Sequence, residues 1–211
     1  MYRQTVSPAL ADLPMPANDP ATLRVLLQPR LSLFWGASTP TRALLACLTV
    51  LAAKGHRVQV FDGGNRFDGY FIARLARRLS SDPHAVLERI RLSRAFTCFQ
   101  LAQLIENAPA LPADSDSADG AHSALFVLDL LSTFYDESVP LRDVERLHTT
   151  TVTHLKRLSA TGPVIVGARE PRALVKERWT LLDQLQVAAD NAWLLRSPDM
   201  PSSTTQLNMF S

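Results

Sequence analysis

The segment from Leu31 to Asp68, LSLFWGASTPTRALLACLTVLAAKGHRVQVFDGGNRFD, narrows the chain to few folds. An apolar run (Leu31–Trp35) meets Gly36, a helical pattern follows from about Arg42 to Ala53, and Gly55 marks a turn. A second strand-like run (Arg57–Asp62) then ends on a carboxylate. Strand, helix and strand at this spacing form a βαβ unit, whose strands run parallel because the helix carries the chain back along the sheet. The alternation continues downstream. Phe67–Leu79 places Phe71, Ile72, Leu75 and Leu79 at helical spacing and Arg74, Arg77 and Arg78 on the other side. Asp82-Pro83 opens a short helix, Ile90–Ser93 is a strand, and Thr97–Asn107 is a helix stopped before Pro109. Ala124–Asp129 and Val164–Gly167 are continuous apolar runs, the pattern of strands buried on both faces. Pro140 to Ala160 and Val175–Ala189 are helical by period, and Ala192–Leu195 is a last strand. The expected fold is α/β, a mostly parallel sheet flanked by helices on both faces.

Composition sets the limits of this core. Residues 1 to 21 are rich in Pro and polar residues and are expected to form an extended or disordered arm. Residues 22–197 then form the core domain, and residues 198–211 a flexible tail. The stretch ALPADSDSADGAH (Ala110–His122) is expected to be a surface loop or insertion. A net charge of +2 gives no bulk attraction to nucleic acid, so any such contact must come from a local patch. Cys47 and Cys98 fall in apolar periodic segments without a C-x-x-C or histidine partner. They are expected as buried thiols of a cytoplasmic protein, not as a disulfide or metal site. No run is long and apolar enough to span a bilayer, and the five histidines share no metal-ligand spacing.

The Gly36 loop sits where phosphate-binding loops place G-x-x-x-x-G-K-[ST], in which backbone N–H groups and a lysine cradle phosphates and a hydroxyl holds Mg²⁺. Here the second glycine position is Thr41, the lysine position Arg42 and the hydroxyl position Ala43. Residual nucleotide binding by Gly36, Thr39, Thr41 and Arg42 is one reading. A polar strand-to-helix junction is the other.

Further stretches carry a resemblance. They are Asp82-Pro83-His84-Ala85-Val86-Leu87-Glu88-Arg89-Ile90, then Arg94-Ala95-Phe96, Gln100-Leu101, Val60-Phe61-Asp62, Phe126-Val127-Leu128-Asp129 and Val164-Ile165-Val166-Gly167. In order and spacing they resemble the core of RecA and its recombinase relatives over roughly residues 25 to 197. The resemblance implies a RecA-like sheet with Asp129 at the Mg²⁺-binding strand end, where Asp129 either holds Mg²⁺ or bonds local backbone as a relic. It places the glutamate that activates the attacking water at Gly64. With lysine, hydroxyl and glutamate replaced, phosphoryl transfer loses several stabilising terms together. No catalytic residue is expected, and no cofactor, unless ATP and Mg²⁺ still bind weakly.

The resemblance also places the second DNA-binding loop over Ala168–Leu182, where Arg169, Arg172, Lys176 and Arg178 supply positive charge. These residues either face single-stranded DNA or form a solvated basic face. Finally, Gln206-Leu207-Asn208-Met209-Phe210 resembles the bacterial sliding-clamp-binding motif. In that motif the glutamine bonds at a pocket rim and the apolar side chains fill it. Gln206, Leu207, Met209 and Phe210 are the expected partner-binding residues.

Together these implications describe a RecA-fold accessory or scaffold protein without ATPase chemistry, acting in bacterial DNA repair, recombination or translesion replication. Its expected partners are the clamp, a RecA-like protein or a polymerase complex. The alternative is a divergent ATP-binding protein that binds single-stranded DNA or completes its site with a partner subunit.

Overall fold

The computed structural model describes residues 17–37, 40–111, 124–172 and 176–195. The expected tail contacts Gln206, Leu207, Met209 and Phe210, and the candidate phosphate-loop residue Thr39, lie outside these residues. So do the first sixteen positions of the expected arm. Six parallel strands form one sheet in the order β3-β2-β4-β5-β1-β6. They are β1 (Leu31–Gly36), β2 (Val58–Asp62), β3 (Ile90–Arg94), β4 (Ala124–Leu128), β5 (Val164–Arg169) and β6 (Asn191–Leu194). Among the described residues seven α-helices cover the two faces, an α/β arrangement consistent with a RecA-like fold.

Burial explains the strand patterns. Every residue of the central strand β4 is buried, whereas the edge strands β3 and β6 alternate or open to solvent. On one face, α1 (Pro20–Leu26), α2 (Thr41–Ala53) and α3 (Gly69–Leu79) pack Leu26, Leu44, Leu48, Ile72 and Leu75 against Phe34, Val60 and Phe126. Helix α2 is buried along Ala43–Ala52, which accounts for its nearly uninterrupted apolar sequence. α4 (Pro83–Glu88) adds Val86 beside Ala52 and Ala76. On the other face, α5 (Cys98–Glu106), α6 (Leu141–Ser159) and α7 (Trp179–Ala188) bury Leu101, Leu155 and Leu182 over Leu33, Val127 and Val166. Cys47 and Cys98 are buried free thiols.

Two expectations change. Residues 17 to 21 do not extend the arm: Asp19 caps α1 through the N–H groups of Ala21 and Thr22, both at 3.1 Å, and Ala17 is fully buried. The helix expected over Val175–Ala189 begins instead with a 3₁₀ turn, Lys176–Arg178, before α7. Among the described residues no helix is long and apolar enough to cross a membrane.

Candidate functional site

The chain leaves β1 and β2 toward one face of the sheet and β3, β4 and β5 toward the other. That reversal opens a crevice outside the carboxyl ends of the strands. Four of these ends converge there. Gly36 and Arg169 are register partners at the ends of β1 and β5. Asp62 closes β2, opposite Leu128, and Asp129 immediately follows β4.

Both aspartates are fully buried, and they are satisfied differently. Asp62 turns back on its own loop, accepting from the N–H groups of Arg66 (2.8 Å) and Phe67 (3.0 Å), with the Arg94 guanidinium 3.6 Å away. Asp129 has a left-handed backbone (φ 50°), and its Oδ2 lies 3.5 Å from Nε of Arg66 and 3.7 Å from Nε of Arg169. Arg169 also donates to the Ser132 hydroxyl at 3.1 Å, and its carbonyl accepts from the Tyr135 hydroxyl at 2.9 Å. Burial, aided by the charge of Asp129, raises the Tyr135 pKa well above its usual value, so this hydroxyl stays a donor.

Gly64 lies against Asp129. A Cβ there would come within 2.6 Å of both Cβ and Oδ2 of the aspartate. The position to which the resemblance assigns a glutamate therefore has no room for a side chain in this arrangement. Asn65, at φ 53°, turns the loop so that Arg66 reaches Asp129.

Outside the carboxylates is a cleft of about 890 Å³. Its walls include Arg42, Arg66, Arg74, Arg77 and Arg169, with Asp68 as the one acidic side chain among the described lining residues. The Arg42 guanidinium sits 5.2 Å from the centroid of the Phe71 ring, a cation–π contact. Thr41 opens α2 at the cleft. The N-cap, Pro40, supplies no side-chain bond, and the Thr41 hydroxyl has no hydrogen-bond partner among the described residues.

Gly36, Thr41, Arg42 and Asp129, from the expected nucleotide-binding set, thus lie at one edge of the sheet, beside Arg169, which was expected to face DNA. The described basic residues expected to face DNA fall at different places. Arg169 belongs to the cleft, Arg172 is exposed outside its lining, and Lys176 opens the 3₁₀ turn. Arg178 is the correction. It is 5% exposed, and its guanidinium donates to the carbonyls of Phe134 and of Val139, the latter at 2.8 Å, so it cannot reach a phosphate. Lys156 and Arg157 likewise serve internal contacts, with Asp190 (2.7 Å) and the Glu106 carbonyl (3.0 Å).

Arg66, Asp68 and Tyr70 were not singled out in the sequence. Arg66 and Asp68 belong to the loop after β2 and Tyr70 to the first turn of α3, and the closure of that loop by Asp62 carries them to the cleft. Among the described residues no three His, Cys, Asp or Glu side chains gather to hold a metal ion. No protein-family model and no curated protein matches the chain.

Proposed function

We propose that this chain is a non-catalytic, RecA-like accessory or scaffold protein in bacterial DNA repair, recombination or translesion replication, recruited by its C-terminal tail to the sliding clamp. The observation that carries the loss of ATPase chemistry is the state of Asp129. Two guanidinia stand against the carboxylate that would otherwise attract Mg²⁺, and Gly64 packs against it as well. Ala43 supplies no hydroxyl for a metal. The role in repair and the clamp rest on the sequence resemblances, including Leu207, Met209 and Phe210.

A second reading, a divergent ATP-binding protein, is favoured by the size of the cleft and by Arg42 at the start of α2. Two assays on the full-length protein separate them. Phosphate release from Mg-ATP, with and without single-stranded DNA, should stay at the buffer rate. Turnover abolished by Asp129→Ala would overturn the non-catalytic reading. In a pulldown with sliding clamp, Leu207→Ala/Phe210→Ala should abolish retention, and equal retention would remove the tail from the proposal.

A further inference from the structure

The five-arginine cleft has a neighbour that changes what it can hold. On the other side of Tyr70 is a second concavity of about 680 Å³, which shares Arg66, Asp68 and Tyr70 with the first. Its remaining described walls are mainly Phe67, Gly69 and Ala73, so it is apolar where the first is cationic. Tyr70, 93% exposed, stands between them. Among the described residues no carboxylate lies within ion-pair distance of Arg42, Arg74 or Arg77. Only Arg66 and Arg169 are held from behind, by Asp129.

We infer that these paired concavities form a docking site for a short acidic segment of a partner protein. Its carboxylates are taken by Arg42, Arg66, Arg74, Arg77 and Arg169, and an apolar side chain lies beyond Tyr70. The inference rests on the reading that the cleft no longer serves nucleotide.

Charge complementarity selects the acidic partner, because five guanidinia line the cleft against the single carboxylate of Asp68. The residue type narrows it further. A guanidinium presents a planar fork that matches a carboxylate with two parallel hydrogen bonds, and arginine and tyrosine in a concave pocket are the composition of protein-binding hot spots. The contacts that fix Arg42 over Phe71, and Arg66 and Arg169 on Asp129, reduce the side-chain ordering lost on binding.

A nucleic-acid strand needs a cationic track along its backbone. Here the cationic wall gives way to an apolar hollow past Tyr70, and the whole chain carries a net charge of only +2. An acidic peptide with an interspersed apolar residue meets both surfaces.

The test is fluorescence anisotropy with the full-length protein and a labelled peptide of repeating Asp-Glu-Leu, with unlabelled oligo-dT and Mg-ATP as competitors. Wild type should bind the peptide, and Arg74→Glu/Arg77→Glu should weaken it by about tenfold or more. Arg146→Glu, an exposed change on α6, should leave binding unchanged. Tyr70→Ser should weaken the peptide severalfold yet leave binding of a repeating Asp-Glu-Ser peptide unchanged. Circular dichroism and urea midpoints of the variants should match wild type, because all these positions are exposed.

No saturable peptide binding, or loss with Arg146→Glu equal to that with the double variant, would overturn the inference and leave the non-catalytic reading intact. Oligo-dT that displaces the peptide and itself binds more tightly would assign the cleft to nucleic acid. Displacement by micromolar Mg-ATP would instead overturn the reading that the cleft no longer serves nucleotide, on which the inference stands.

Discussion

Arg178 and Arg42 both serve the carboxyl edge of the sheet, yet one is enclosed by the loops after β4 and β5 and the other lies open at the start of α2. Around Arg178 the chain is closed. Its guanidinium ties the carbonyls of Phe134 and Val139, and the Phe134 ring meets the imidazole of His148 edge-on, with centroids 5.7 Å apart. Around Arg42 the chain is open: the guanidinium lies over the face of Phe71, and the exposed side chain lines the cleft. A cation whose donors are used by buried carbonyls stabilises the fold, whereas a cation whose donors reach solvent contributes little to stability and is available for binding.

The largest expected effect lies on the closed side. Arg178→Ala leaves two carbonyls without their donor and removes a buried side chain, which should cost about 3 kcal/mol or more in urea unfolding. Arg42→Ala, by contrast, should change stability by about 0.5 kcal/mol or less. Equal effects from the two would erase the distinction between a buttress and an open site.

That distinction was not legible in the sequence, although much of the fold was. Continuous apolar runs such as Ala124–Leu128 mark parallel strands because both faces of those strands are covered, a consequence of composition alone. Helix starts are legible where a cap is local. Asp82-Pro83 gave α4, and the same dipeptide at Asp19-Pro20 opens α1, though there it follows a Pro-rich polar segment that reads as an arm. Whether Arg178 faces water or carbonyls depends on Phe134 and Val139, some forty positions away, and no local pattern carries that. Gly64 shows in the sequence only as a missing glutamate. Its contact with Asp129 depends on how the β2 loop folds over β4. The cleft likewise takes its walls from α2, the β2 loop, α3 and β5, four segments that only the sheet order makes neighbours.

A smaller effect on the closed side comes from His148. Its Nδ1 lies 3.1 Å from Oε1 of Gln184, and burial against the core lowers its pKa from 6.5 to about 4. The unfolded chain takes up a proton below pH 6.5 that the folded chain refuses until about pH 4. This contribution to stability is therefore complete above 6.5 and is lost as pH falls through that window. Between pH 7 and pH 5 the loss should be about 2 kcal/mol, read from urea midpoints, and His148→Gln should flatten it. Asp19, Asp136 and Asp190 have pKa values lowered from an ordinary 3.8, so they do not titrate within this interval. An unchanged slope in the variant would show that the pH response arises outside the buttress.

An effect on stability smaller than that of His148, and the sharpest on the comparison, is expected where the two regions meet. Asp129→Asn keeps the volume of the side chain and tolerates the left-handed backbone, but it removes the charge behind Arg66 and Arg169. Both arginines are partly exposed, at 45% and 24% of their side chains, so solvent already screens their pairing with Asp129, and unfolding should become easier by only about 1 kcal/mol. Binding should move the other way. Two guanidinia that lose an internal counter-charge attract an external carboxylate more strongly, so the affinity of an acidic peptide should rise severalfold, with a steeper salt dependence. A loss of more than about 3 kcal/mol without tighter binding would place Asp129 with Arg178, as part of the closed framework and not of the open site.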